Sequence, residues 1–427
     1  MRLCLVLTVP LVLLIGSLPA FAEGLEAGAH TVDVTPPVGI PMWGYGARHD
    51  NKSQGVKDRL QANALILAVG KQKLAIVGLD IGRAPTRESM ARIRQAIKEK
   101  SGIDHCFIVG SHTHHGPCLE LGAVKGPAGT YIRELEGKIV SAIVTADQKK
   151  VPARMGVGSI EIEMNRNRHS KIEPTPVDRE LAVIRVDDMD DNPIAIAVNF
   201  AAHPTSIDAE QMVYSADYPG SLKKRVREVM KCECLFLQGA AGDLSTDRRG
   251  LDYRAYGSAL GDIAIKLAQS IETKDAPQPS INVREEEFQY QNPRVDHGNV
   301  IVRIAFAQAF FKELVDFYVE EYAQGIRPHL TVAVINGKIG LVGASGEFFC
   351  SHSMRLKERS RLPHTLFFGY CNDYHQYFPT IEAAAEGGYG ADATVSPAPV
   401  GAGEQITNRA LYHLYDMQNK YSMFQVK

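Results

Sequence analysis

Short apolar runs alternate along this chain with longer stretches in which apolar residues recur at helical spacing. Leu74 to Leu79 and Cys106 to Gly110 are apolar enough to be buried strands. Between them Thr86 to Lys100 has the charged, amphipathic pattern of a helix that stops at Gly102. Further strands are expected at Leu181 to Val186, Ile194 to Phe200, Leu235 to Leu237 and Thr365 to Phe368. Leu330 to Ile335 and Ile339 to Val342 flank Asn336-Gly337, a strong signal for a two-residue hairpin. Helices are expected at Tyr131 to Ala146, Gly220 to Met230, Val300 to Tyr322, Glu347 to Glu358 and Gln405 to Gln418. The pattern predicts an α/β (or α+β) fold. One large domain, residues 23–427, is built on a buried mixed sheet flanked by helices.

Chemistry-bearing residues follow directly behind five of these apolar runs. Ile108-Val109-Gly110 leads into Ser111-His112-Thr113-His114-His115, and Val198-Asn199-Phe200 into Ala201-Ala202-His203. Leu235-Phe236-Leu237 leads into Gln238 to Asp243, Leu341-Val342 into Ser345-Gly346-Glu347, and Phe367-Phe368 into Tyr370 to Tyr374. In sheets of this kind ligands bind where strand ends converge, so five such junctions imply one shared site.

His112-Thr113-His114 is an H-x-H unit leaving a strand. At strand period the two imidazoles point to the same side, and neutral imidazole is a good zinc ligand. His203 holds an equivalent place behind a second strand, and Glu347 behind a third offers an anionic oxygen. Three protein ligands with an open position for water is the usual plan of a catalytic zinc site. Other catalytic plans fit poorly. Gly116 and Pro117 stand where a metallo-β-lactamase needs Asp and His, and H-E-x-x-H and G-x-S-x-G are both absent. Ser221-Leu222-Lys223-Lys224 matches S-x-x-K, but Lys338-Ile339-Gly340 and Tyr370-Cys371-Asn372 follow in the wrong order for a penicillin-recognising serine enzyme.

Composition narrows the setting. A formal net charge of -2 over 427 residues, without a basic patch interleaved with aromatics, gives no case for nucleic acid. Arg2, the apolar run Leu3 to Ile15, and Ala20-Phe21-Ala22 read as a signal peptide over residues 1–22. Export to the periplasm or outside the cell is therefore expected. No later stretch is long and apolar enough to span a bilayer, so the mature chain is expected to have no transmembrane segment. An oxidising compartment permits disulfides among Cys106, Cys118, Cys232, Cys234, Cys350 and Cys371, in a pairing that sequence does not choose.

Taken together, the segments resemble the neutral, non-lysosomal ceramidases from Gly28 to about Ala393. Val32 to Pro37 and Met42-Trp43-Gly44-Tyr45 look like the family's start, and Ser111 to Pro117 is the most specific element. Phe200 to His203, Gln238 to Ser245, Ser345 to Phe348 and Asn372 to Tyr377 follow in the family's order. The resemblance implies one zinc ion per chain held by His112, His203, Glu347 and Tyr377. It implies that His114 stands beside the attacking water, and that Arg166 and Tyr389 meet the substrate carbonyl. Asp243 falls in a loop that approaches the site. The implied reaction is metal-assisted hydrolysis of an amide in a ceramide-like N-acyl lipid, with transient contact at a membrane surface. The chain stops at Lys427, short of the family's further C-terminal β-sandwich, and the run Asn165 to His169 is more basic than its family counterpart. Two other readings follow: a zinc esterase or deacetylase acting on a polar substrate such as an acylated sugar, and a non-catalytic exported binding protein.

Overall fold

The computed structural model describes residues 24–421; the expected signal segment, residues 1–22, lies outside them. Eight strands form the main sheet: β1 (Leu25–Asp33), β2 (Gln61–Val69), β3 (Gln72–Leu79), β4 (His105–Gly110), β5 (Val151–Glu161), β6 (Glu180–Asp188), β7 (Pro193–Phe200) and β8 (Glu233–Gln238). Their spatial order is β8-β7-β6-β5-β1-β2-β3-β4. The two end pairs, β3 with β4 and β7 with β8, are parallel and the other pairs antiparallel. A second sheet runs β9 (Ile281–Glu287), β10 (His329–Ile335), β11 (Ile339–Ala344), β12 (His364–Phe368), and its last pair is parallel. This is the mixed, buried sheet architecture the pattern predicts.

Alternation along the strands explains the layering. In β3, Ala75, Val77 and Leu79 join a core with the apolar stripes of α1 (Arg87–Ser101) and α2 (Pro127–Gln148). In β8, Cys234 and Phe236 face Leu222 and Val226 of α3 (Asp217–Met230) and Leu260 of α4 (Tyr253–Ser270). The opposite faces, with Ile76, Leu235 and Leu237, bury against Leu341, Leu366 and Phe368 of the second sheet. That sheet is covered in turn by α7 (Cys350–Ser360) and α8 (Ala402–Met417), with Leu356 and Leu414 in the core.

The main sheet is joined at β1 and β5 by only two residue pairs, Glu26 with Pro152 and Ala27 with Val151. Its halves close toward one another until the backbone of β8 abuts β3. A Cβ on Gly78 would lie 2.6 Å from the Phe236 carbonyl oxygen, so glycine is required there. This closure brings the parallel ends of β4, β7 and β8 together. Backbone bonds then tie the five junctions: Gly239 N to Phe200 O, Gly369 N to Gln238 O, Gly110 N to Tyr370 O, and Tyr370 N to Gly346 O.

Two expected helices are corrected. Val300 to Tyr322 is broken into α5 (Val300–Ala309) and α6 (Lys312–Glu321). Phe310 adopts an extended backbone, which lets Phe311, Leu314 and Tyr318 bury their side chains while most of α5 stays exposed. The helix expected from Glu347 begins only at Cys350, because Glu347–Phe348 pairs as a short strand with Tyr377–Phe378. The hairpin at Asn336-Gly337 forms as expected, both residues having positive φ (52° and 64°) as a type I′ turn demands. β1 and β5 have no uninterrupted run of large apolar residues; β2 does, in Leu65-Ile66-Leu67, and is a strand the sequence analysis leaves out. All six cysteines among the described residues are free thiols.

Lys223 of α3 is buried with its ammonium 2.7 Å from both oxygens of Asp80 and 2.6 Å from Asn63 Oδ1. Burial pushes this lysine down from its ordinary value, opposed by the Asp80 charge. Removing one member of a buried pair strands the other charge. Asp80→Ala is therefore expected to cost about 3–5 kcal/mol of folding stability. Denaturant unfolding of the purified variant checks this; a loss within ordinary surface-mutation scatter would contradict it.

Candidate metal centre

Behind β4 the chain leaves strand geometry at once. His112 takes a left-handed backbone (φ 68°), a strained position for a non-glycine residue, while its N–H bonds to Ile81 O. This kink, not strand alternation, turns the H-x-H imidazoles together. His112 Nε2 and His114 Nε2 lie 3.3 Å apart, and Thr113 Oγ1 donates to Ser215 O. His203, behind β7, brings its Nε2 to 3.0 Å from that of His112. The three imidazoles each offer a nitrogen within 4.8 Å of the others. Glu347 completes the cluster, its Oε2 lying 3.3 Å from His112 Nε2 and 3.1 Å from His203 Nε2.

The far sides of two rings determine what the near sides can do. His112 Nδ1 lies 2.7 Å from Gly82 O, and His203 Nδ1 lies 2.6 Å from Ala241 O. A carbonyl only accepts, so both Nδ1 atoms carry the proton and both Nε2 atoms present lone pairs. Two lone pairs facing each other and a carboxylate oxygen form no hydrogen bond among themselves. A cation satisfies all three, and the imidazole and carboxylate donors suit zinc. Burial, reinforced by the Arg168 guanidinium, pushes His203 down to about 3. Burial followed by His112 and His203 pushes His114 well below the usual histidine range.

Tyr377 lies beside Glu347 on the paired short strand, with Cα atoms in register. Its hydroxyl is 3.0 Å from Arg168 Nη2, which also donates to His203 Nε2 (2.9 Å) and to Gly242 O (2.9 Å). Tyr374 donates instead to Glu347 Oε1 at 2.5 Å, and Tyr370 stacks on His112 and reaches Glu347 Oε2 at 3.4 Å. Burial lifts all three tyrosines well above the usual phenol range, and the Glu347 charge adds to it. Tyr389 stands on a glycine-rich loop, 5.6 Å from Tyr377 between ring centres.

Arg166 is exposed on the short strand 165–167. The arginine brought to the cluster is Arg168, two residues on in the same basic run. Arg168 lies just past that strand, its N–H held by Asp243 O (2.8 Å), and its side chain reaches His203. Asp243 is buried and acts from behind: its carboxylate accepts from Cys350 N (2.7 Å) and Asn167 Nδ2 (2.9 Å). It thereby pins the loop that carries Arg168 to the start of α7.

The cavity above the cluster has an aromatic wall that the site motifs did not mark. Trp43 packs edge-on against His112 and His114, and Tyr45 against His114. Gly44 between them has φ 108° and runs so close that a Cβ would meet the His114 ring at 2.6 Å, so only glycine serves. Phe306, Phe310 and Phe311 of the α5–α6 corner complete the lining. Beneath it the buried Arg83 bridges Glu120 and Asp373 at 3.0 Å each, and Glu120 receives Trp43 Nε1 at 3.2 Å. A second acidic group, Glu321, Asp373 and His375, is already matched by Arg83 and Arg87.

Three comparisons bear on this arrangement. The family described as "Neutral/alkaline non-lysosomal ceramidase, N-terminal" matches residues 25–233. Neutral ceramidase A of Dictyostelium discoideum is 26% identical over 219 residues, covering 46% of this chain and 30% of its own length. The neutral ceramidase of Oryza sativa subsp. japonica is 26% identical over 245 residues, covering 52% of this chain and 31% of its own length. The match thus spans about a third of these relatives. The crystal structure of neutral ceramidase from Pseudomonas aeruginosa superposes with a TM-score of 0.75 at 18% identity, over 93% of this chain and 75% of that one, and so shares its fold.

If the lone pairs of His112 and His203 hold a metal, the purified chain binds one equivalent of zinc, and His112→Ala and His203→Ala each lose it. Elemental analysis after dialysis measures this. Arg166→Ala keeps the full equivalent. Retention of a full equivalent by either histidine variant contradicts the assignment.

Proposed function

We propose, for a chain that belongs to the neutral/alkaline non-lysosomal ceramidase family, that it is a zinc-dependent amidohydrolase cleaving the N-acyl bond of a ceramide-like lipid. The observation that carries this reading is the convergence of the His112 and His203 Nε2 lone pairs on Glu347 Oε2. In this reading His112, His203, Glu347 and Tyr377 hold the ion. When bound there, zinc supplies a Lewis acid for water and for a carbonyl oxygen.

The chain's own groups divide the remaining work. His114 differs from the other two histidines in that its Nδ1 has no partner, so no carbonyl fixes its tautomer. Its ring is neutral and lines the cavity beside the cluster. Such an imidazole takes a proton from the attacking water as the oxygen–carbon bond forms, and returns it to the leaving nitrogen as the carbon–nitrogen bond breaks. Arg168 replaces Arg166 as the cation of the site. Its guanidinium, 3.0 Å from the Tyr377 hydroxyl, and Tyr389, packed against the Tyr377 ring, are assigned to stabilise negative charge developing on the substrate carbonyl oxygen. The Asp243 contacts position Arg168.

Trp43, Phe306, Phe310, Phe311 and Leu314 offer aromatic and apolar surface to an acyl chain, which supports an N-acyl lipid as the substrate class.

Hydrolysis of ceramide and of acetylated saccharides, followed before and after chelation and with zinc restored, tests the proposal. Cleavage of the N-acyl lipid only, abolished by chelation and restored by zinc, is expected. Full activity without metal, or hydrolysis confined to the saccharides, overturns it. His114→Ala is expected to keep its zinc and lose about 10²–10⁴ in kcat. Arg168→Ala is expected to lose about 10²–10³, whereas Arg166→Ala stays within about twofold of the unaltered enzyme. Steady-state kinetics on metal-loaded variants reads both, and equal effects at 166 and 168 would remove the assignment of Arg168.

A further inference from the structure

α5 spends its apolar residues on no core. Its ten residues, Val300 to Ala309, contain one charge, Arg303. Val300, Ile301 and Ile304 are 69%, 78% and 61% exposed. A helix that is apolar on most of its faces is ordinarily buried in protein or in lipid. The helix is nonetheless properly formed, because the Asn299 side chain caps it by accepting from Ile301 N at 2.9 Å. The break at Phe310 separates it from α6, whose apolar residues are buried.

Its two sides face different spaces. Phe306 and Phe310 line the cavity that holds His114 and Glu347. Val300, Ile304 and Ala307 line an adjoining groove open to solvent, which also contains Phe310. Phe310 and His49 line both spaces, so the groove outside adjoins the cavity that holds His114 and Glu347.

We infer that α5 is the face by which this protein docks on a lipid bilayer, with Val300, Ile301 and Ile304 entering the boundary between headgroups and acyl chains. The inference rests on the proposed function, since it makes α5 the path by which a membrane-borne N-acyl lipid reaches His114. Size agrees with this placement. Ten helical residues rise about 15 Å, half of the roughly 30 Å hydrocarbon core, so the helix lies in the interface and does not cross it. Among the described residues no helix is long and apolar enough to cross a membrane. Arg303 and Lys312 flank the patch, and both pair with the carboxylate of Asp316. A bilayer accepts an apolar helix without a shape-matched partner surface, whereas a second protein would need one.

Co-sedimentation of the purified, zinc-loaded chain with phosphatidylcholine vesicles, with and without an anionic lipid, tests the inference. The unaltered chain is expected to bind, and the double variant Ile301→Glu, Ile304→Glu to bind about tenfold or more weakly. Turnover of an N-acyl lipid embedded in the vesicles should fall in step, while a dispersed short-chain substrate is cleaved at the unaltered rate. Both positions are exposed, so the variant keeps its fold; its circular dichroism and zinc content verify that. Ile301→Trp adds a second reporter, whose emission should shift to the blue on adding vesicles. Failure of the unaltered chain to bind vesicles, or undiminished binding by the double variant, overturns the inference. So does concentration-dependent self-association that the double variant abolishes while neither form binds vesicles, which would assign α5 to a second copy. Vesicle binding is read without turnover. A chain that binds through α5 yet cleaves no N-acyl substrate sinks the catalytic reading and leaves the docking face standing.

Discussion

Acceptors turned toward one another in a buried space define this molecule. The Gly82 and Ala241 carbonyls claim the protons of His112 and His203 on their outer nitrogens, so the inner nitrogens must face one another and Glu347 as acceptors only. Left alone, such a trio costs free energy, because burial removes the water that would otherwise donate to it. The rest of the site is built around that deficit. Arg168 donates into it from one side, Tyr370 and Tyr374 donate to the carboxylate from another, and Trp43 with Tyr45 shields it from solvent.

Holding acceptors together against their preference requires a stiff frame, and the closed main sheet provides it. The backbone bonds that join the ends of β4, β7, β8, β11 and β12 leave each donor loop little freedom. The strained φ of His112 persists because its flanking groups are over-determined: Ser111 N is held by Leu79 O, and His112 N by Ile81 O. Behind this layer stand the buried ion pairs. Lys223 with Asp80 ties α3 to the sheet, and Arg83 with Glu120 and Asp373 underlies the aromatic wall. Asp243 links the same layer to Arg168, so the arginine reaches His203 from a loop that is itself anchored to α7.

Polarity is graded outward from the cluster. Charged and tautomer-fixed groups sit deepest, aromatic rings form the cavity wall, and α5 presents aliphatic side chains at the rim. The corner at Phe310 and Phe311 produces the last step. By ending one helix and starting another, it lets α6 bury its apolar residues while those of α5 stay outside.

Local pattern was enough to mark most of the strands and helices that carry the site, because their apolar spacing reflects the faces they bury. It also put chemistry-bearing residues behind five strand ends, and those ends do meet. Contact between distant segments decided the rest. Glu347 was read as the start of a helix, since nothing local reveals that it pairs with Tyr377, thirty residues on; only the second strand makes it one. Arg166 and Arg168 share one basic run, but the strand ends at Asn167, and Asp243, brought alongside by folding, holds the backbone of the second. The H-x-H histidines were matched to strand alternation, yet a left-handed turn held by Ile81 does the work. By itself, then, the sequence determined the fold class, the strand-end location of the site and its histidines and carboxylate, all properties written in residue type and local period. Tertiary structure alone decided which arginine enters, which tautomers the histidines hold and which helix stays uncovered, because each depends on atoms brought together from far apart in the chain.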